Sequence, residues 1–407
     1  MLASSNGQPH RFLGQVCPTR QRLPSSPEFA ASPTQRPDPG PRGASMKTWF
    51  KLTAAAFAVV ATSASHAASG ECLDVRVSSA NPIVNGDVDV HVDVAVTNVC
   101  RAPVQVLRWQ LPSERMSGAL FRITRDDQPV AYTGPVIKRA APTARDYVEI
   151  APGATLNYQV ELTGHYDISK NGRYAIEFQS DRGTHGSGAQ TLRSASATYL
   201  WAQNRNERLD ATPVSKDGVL GAAVTEASPS LTALAASISY TGACTASQKS
   251  ALASAVTAAT NYAASSASYL SGTPSATPRY TTWFGAYTLA RWNTAKDHYV
   301  KARNAFQTAA LTLDCSCKDT GTFAYVYPTQ PYKIYVCGAF WSAPMTGTDS
   351  KGGTLVHEMM HFNVIAGTQD WAYGQSAAQS LAKSDPTKAL NNSDNHEYFA
   401  ENNPAKN

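Results

Sequence analysis

Apolar and polar positions alternate along 84–99, where Val88, Val90, Val92, Val94 and Val96 are set against Asp87, Asp89, His91 and Asp93. A period of two predicts a β-strand with one buried and one wet face. Further strands are expected at 104–111, 120–124, 147–150, 156–162 and 172–179, punctuated by Asn85-Gly86, Pro152-Gly153 and Asn171-Gly172. Short strands with turns at this spacing predict an all-β, immunoglobulin-like sandwich over residues 68–200. The period changes after residue 240. Residues 245–270 are Ala-rich without Pro or Gly, and 282–313 repeat apolar residues at helical spacing, so both predict helices. Residues 322–340, TFAYVYPTQPYKIYVCGAF, return to β character and predict a hairpin. The expected architecture is multidomain: an N-terminal sandwich and a mainly α C-terminal domain over 241–407 carrying a small β-sheet. Between them, residues 201–240 turn to Ala, Ser, Thr, Pro and Gly and are expected to form an exposed linker.

The first 67 residues do not read as a domain. Residues 1–45 hold eight prolines and no periodic apolar pattern. Met46-Lys47 and Lys51 then supply a positive start, Leu52 to Ala61 an apolar stretch, and Ser65-His66-Ala67 small residues around a cleavage point. That is the pattern of a secretory signal peptide over 46–67, cut after Ala67, with Met46 as the expected start and 1–45 as an unstructured or mis-called extension. The apolar stretch is too short to span a hydrocarbon core of about 30 Å. The expected location is therefore extracellular, with no stable membrane association.

Composition narrows the function classes. The chain is 43% hydrophobic and 16% charged, which is globular rather than disordered. Its formal net charge is +5, and after residue 240 there are 12 Lys/Arg against 10 Asp/Glu, so no basic surface for nucleic acid is expected. Removing the leader discards Cys17 and leaves six cysteines: Cys72 and Cys100 in the N-terminal half, and Cys244, Cys315, Cys317 and Cys337 in the C-terminal half. An even set suits an oxidising compartment, with one bridge in the first domain and two in the second. His91 and His165 are read as solvent-facing or packed.

The chemistry is concentrated at 354–367, TLVHEMMHFNVIAG. His357 and His361 are four apart, so on a helix both imidazoles leave one face and can grip one metal, while Glu358 can reach a water there. This is the H-E-x-x-H arrangement of zinc peptidases. A catalytic zinc needs a third protein ligand. The metzincin solution requires Gly and His where this chain has Val364 and Gly367. A glutamate from a later helix is available in Glu397 or Glu401, and Asp370 lies nine residues after His361. Taken singly, Asp370 could equally cap a helix and Tyr373 could equally pack in the core.

The run GTQDWAYG after HEMMH resembles the aspzincins, the family of deuterolysin and peptidyl-lysine metallopeptidases, whose pattern is H-E-x-x-H followed by G-T-x-D-x-x-Y-G. The resemblance covers roughly residues 240–407. It implies one zinc per catalytic domain held by His357, His361 and Asp370, with Glu358 as general base and Tyr373 stabilising the transition state. The cysteine spacing resembles the lysine-specific branch and implies bridges Cys244–Cys315 and Cys317–Cys337. Asp394 and Glu397, in SDNHEYFAEN, share a helix face and by spacing alone would make a capping box. The resemblance implies instead that they receive a lysine ammonium. His396, between them in sequence, is expected to face away. The β-rich region loosely resembles the precursor portion of bacterial members.

The resulting expectation is a secreted zinc endopeptidase, made as a zymogen, that cuts proteins and peptides on the amino side of lysine and acts as a monomer. The alternatives are zinc proteolysis of broad specificity, and an inactive secreted binding or adhesion protein. If lysine is preferred, the linker offers one lysine, Lys216, and self-processing at Ser215–Lys216 is expected.

Overall fold

A computed structural model describes residues 72–112, 116–205 and 237–406. The expected signal peptide, the N-terminal extension and Lys216 lie outside them. Among the described residues no helix is long and apolar enough to cross a membrane.

The N-terminal region is β-rich. Its strands are β1 (Leu73–Ser78), β2 (Ile83–Asn85), β3 (His91–Asn98), β4 (Val104–Leu107), β5 (Phe121–Arg125), β6 (Gln128–Pro129), β7 (Val136–Arg139), β8 (Tyr147–Ile150), β9 (Thr155–Glu161), β10 (Gly172–Ser180), β11 (Leu192–Arg193) and β12 (Thr198–Gln203). One sheet has the order β1-β3-β9, a second β2-β12-β10-β5-β6 with β11 on β10, and β4 pairs with β8 alone. Val92, Val94 and Val96 of β3 are buried, as the alternation predicts, with Ile123, Tyr174, Ile176 and Phe178 in the same core. The single strand expected over 84–99 is broken in two. Gly86 adopts φ +73, a left-handed conformation open to glycine, and this lets β2 leave to pair in parallel with β12. The strand expected over 104–111 stops at Leu107. There Gln110 folds its side chain back to accept the Leu107 N–H at 2.8 Å, winding 108–110 into a 3₁₀ turn.

The C-terminal region begins with β13 (Ile238–Thr241) and α1 (Ala246–Leu270). Helix α1 starts in a capping box: Thr245 accepts the Gln248 N–H at 3.2 Å, and Gln248 accepts the Thr245 N–H at 2.9 Å. The stretch read as helical over 282–313 resolves into α2 (Pro278–Phe284), α3 (Leu289–Thr308) and a strand, β14 (Leu311–Asp314). The hairpin is present as β15 (Thr322–Val326) and β16 (Lys333–Val336), followed by α4 (Gly338–Ser342). Then come α5 (Lys351–His361), α6 (Gln375–Ser384), α7 (Pro386–Leu390) and α8 (Ser393–Glu401). Bridges join Cys72–Cys100, Cys244–Cys315 and Cys317–Cys337.

The C-terminal sheet has the order β13-β14-β16-β15-β7. Its last strand belongs to the β-rich region. β7 lies antiparallel on β15, with Lys138 opposite Ala324, Ile137 opposite Tyr325 and Val136 opposite Val326. Each region has its own apolar core, and this shared sheet carries one across the other.

Candidate active site

Helix α5 is buried along its whole length. The Ser350 hydroxyl caps it, accepting the Gly353 N–H at 2.9 Å. Ser350 is itself fixed, because its N–H and hydroxyl donate to Glu401 Oε1 at 2.9 and 2.8 Å. A Cβ at position 353 would strike the Glu401 carboxylate, so glycine there lets α8 pack close against α5. The four-residue spacing sets His357 and His361 side by side. His361 Nδ1 donates to the Thr368 carbonyl at 2.8 Å, which turns Nε2 inward. His357 Nε2 then lies 3.1 Å from His361 Nε2. Asp370, on the loop after α5, brings Oδ1 to 3.2 Å from His357 Nε2 and 3.4 Å from His361 Nε2. Asp370 does not cap the following segment: Asn392 Oδ1 accepts the Trp371 and Ala372 N–H groups instead, at 2.7 and 3.2 Å.

This triangle fits a zinc ion. Bonds of about 2.0–2.1 Å in a tetrahedron put neighbouring ligand atoms about 3.3 Å apart. Two Nε2 atoms 3.1 Å apart can share one proton at most. Asp370 Oδ1 and both oxygens of Glu358 are buried without a hydrogen-bond partner, a costly arrangement that a cation and water would relieve. Burial pushes Glu358 up to about 8, against the pull of His357 and with the Asp370 charge adding to it. Burial would also raise the Asp370 carboxyl, but His361 and His357 outweigh it and hold that group well below the usual range.

Helix α8 supplies the other carboxylates. Asp394 does not form the capping box that its spacing allows. Its Oδ2 accepts the Gly374 N–H at 2.6 Å, and its Oδ1 lies 2.9 Å from His357 Nδ1. Glu397 Oε2 lies 3.3 Å from the same nitrogen. Between them sits the ammonium of Lys138 from β7, paired with Glu397, 3.4 Å from Asp394 Oδ1 and 3.7 Å from Asp349 Oδ1. The Phe323 ring, at 5.3 Å, also faces the ammonium. Lys138, Asp394 and Glu397 are all fully buried. Burial favours neutral lysine, yet the three carboxylates outweigh it and hold the amine protonated. His357, Asp394 and Glu397 also form a cluster of potential metal ligands, but here the lysine supplies the cation. Tyr373, buried beside Asp370, donates its hydroxyl to the Ile137 carbonyl at 2.9 Å and lies 3.3 Å from Asp370 Oδ2. His396 turns away from this group, with Nε2 3.0 Å from His298 Nδ1.

Comparison with known proteins bears directly on this arrangement. The family described as lysine-specific metallo-endopeptidase matches residues 269–401. An extracellular protease of Aeromonas hydrophila is 46% identical over 343 residues, covering 82% of this chain and 93% of that protein. The chain belongs to the aspzincin family of zinc metalloendopeptidases. A peptidyl-Lys metalloendopeptidase of Grifola frondosa is 44% identical over 267 residues, 64% of this chain and 70% of that protein. A solved zinc peptidase from Grifola frondosa is 56% identical and covers 40% of this chain and all of its own, with a TM-score of 0.39.

All the residues singled out from the aspzincin pattern meet in one place: His357, Glu358, His361, Asp370, Tyr373, Asp394 and Glu397. Three others did not stand out in the sequence. Lys138 and Asp349 reach the pocket from outside any motif. Arg139, whose guanidinium donates to the Tyr373 hydroxyl at 3.3 Å, arrives with Lys138. A signal for β7 did exist, because Val136-Ile137 follows Gly134-Pro135 as a short β-branched pair, but nothing local says which sheet it joins.

Proposed function

We propose that this aspzincin is a secreted endopeptidase that hydrolyses peptide bonds on the amino side of lysine, and that its β-rich region, read as an immunoglobulin-like sandwich over 68–200, is a pro-domain covering the catalytic cleft. His357, His361 and Asp370 would hold the zinc. Bound zinc supplies Lewis acidity, drawing electrons from a scissile carbonyl and making water a stronger acid. Glu358 takes the proton of the attacking water and passes it to the departing amine. The Tyr373 hydroxyl donates to the oxyanion that develops on the carbonyl. Asp394 and Glu397 hold the substrate ammonium, and Asp394 also orients His357 through Nδ1.

One observation carries the lysine preference: a buried ammonium, that of Lys138, already sits between Asp394 and Glu397 beside the ligand triangle. An apolar side chain in that position would leave two buried carboxylates without a counter-charge, which disfavours it strongly. Secretion is supported by the three bridges and by the extracellular relative. The common core beneath the two larger sheets supports the sandwich reading. The test compares kcat/KM for two peptides that differ only in Lys or Leu after the scissile bond. Wild type should prefer lysine by at least about 100-fold and Glu397→Gln by far less. Equal rates in wild type would overturn the lysine preference.

A further inference from the structure

We infer that the Ile137–Lys138 bond of the β-rich region is itself a substrate of this active site, cut once, within the same molecule. The inference rests on the lysine-directed reading above and goes beyond it. Two independent features select the same bond. The Lys138 side chain fills the acidic pocket, and in an enzyme that cuts before lysine the scissile bond is then the one preceding Lys138. Separately, the backbone carbonyl that accepts the Tyr373 hydroxyl, at 2.9 Å, is that of Ile137. The side chain identifies one end of the bond and the carbonyl the other.

The strand is also presented as a substrate would be. β7 extends the edge of the catalytic sheet antiparallel to β15, a mode in which main-chain hydrogen bonds hold an extended peptide whatever its sequence, while pockets read alternate side chains. Val136 and Lys138 point to the buried side, Ile137 and Arg139 to the half-buried side. Arg139 bonds the Tyr373 hydroxyl and lies over the Trp109 ring at 5.2 Å, so the residue after the lysine is anchored as well. The step needs only water. Its oxygen adds to the Ile137 carbonyl carbon, the bond to the Lys138 nitrogen breaks, and that nitrogen leaves as an amine carrying the transferred proton. The products are an Ile137 carboxylate and a new N-terminus at Lys138.

The cut would not free the cleft at once. β3 pairs with β9, β4 with β8 and β5 with β10, and each pair joins a strand before the cut to one after it. The two pieces would stay together as a nicked precursor with Lys138 still in its pocket. Release then requires a later event, such as cleavage in the 201–240 linker.

The experiment uses the full secreted precursor, purified in chelator and then supplied with zinc, and follows it by intact mass and N-terminal sequencing. Wild type should split into two chains whose masses sum to the precursor plus one water, the second with its N-terminus at Lys138, at a rate unchanged across a dilution series. Glu358→Gln, which leaves the pocket intact, should form it about 100-fold more slowly or not at all. Lys138→Ala should not form it, yet once the linker has been cut it should hydrolyse an external Xaa–Lys peptide. Wild type that cleaves that peptide but never yields an N-terminus at Lys138 would overturn the inference and leave the lysine preference standing. A rate that falls on dilution would overturn the same-molecule step. Failure of every form to cut before lysine in the external peptide would remove the reading beneath it. Should Lys138→Ala not fold, the wild type and Glu358→Gln pair decides alone.

Discussion

At the scale of single residues, distances separate Asp370 from Glu397 among the three acidic residues that the sequence left open as third ligand, Glu401 being the other. Asp370 Oδ1 completes the triangle with the two Nε2 atoms, while Glu397 faces the far nitrogen of His357. Asp370→Ala should therefore lose metal and activity together, measured by metal analysis of the purified protein, whereas Glu397→Gln should keep its metal and change substrate choice. Full metal occupancy in Asp370→Ala would refute that assignment. Tyr373→Phe should lower kcat about 100-fold with KM nearly unchanged, because in the proposed mechanism the lost donor serves the oxyanion. A rise in KM at constant kcat would make Tyr373 a positioning residue. The proposed ligands, base and tyrosine were legible as one group because they sit within seventeen consecutive positions, 357–373, at spacings a helix and one loop impose. The second duty proposed for Asp394 was not legible. It is 37 positions from His357 in sequence and 2.9 Å from its Nδ1 in space, so Asp394→Asn should weaken zinc binding about 10–100-fold as well as loosen lysine selection.

At the scale of elements, local signals were read well and remote pairings were not. The Thr245–Gln248 cap and the β15–β16 hairpin are decided by neighbours in sequence. Thr245→Ala should cost about 1 kcal/mol, seen as a lower urea midpoint at unchanged slope; no shift would mean that packing of α1 alone sets its start. β13 and β14 escaped the pattern because they pair in parallel across the whole of α1–α3. Their sequences, ISYT and LTLD, do alternate, but four residues beside long helical runs are too short a signal to stand apart from them. β7 escaped for a related reason, since its partner lies about 185 residues away on a strand of the other region. The long alternating run at 84–99 misled in the opposite direction: its side-chain pattern continued straight through the Asn85-Gly86 turn, where Gly86 adopts φ +73.

At the scale of the whole molecule, the two regions were legible as a β-rich half and a helical half, each with its own core. Their meeting place was not, because it depends on a lysine whose value appears only when the acidic pocket has a shape. With Lys138 in place, the precursor should hydrolyse external peptides far more slowly than the same chain after removal of the β-rich region, and adding that region back should restore inhibition. Equal rates before and after removal would show that the cleft is open in the precursor. The lysine-directed zinc mechanism is tested most directly by digesting a denatured protein with the mature enzyme and sequencing the peptides by mass spectrometry. New N-termini should begin overwhelmingly with lysine, and should vanish with chelator and in Glu358→Ala. New N-termini with no lysine enrichment, or cleavage undiminished by chelator, would contradict it.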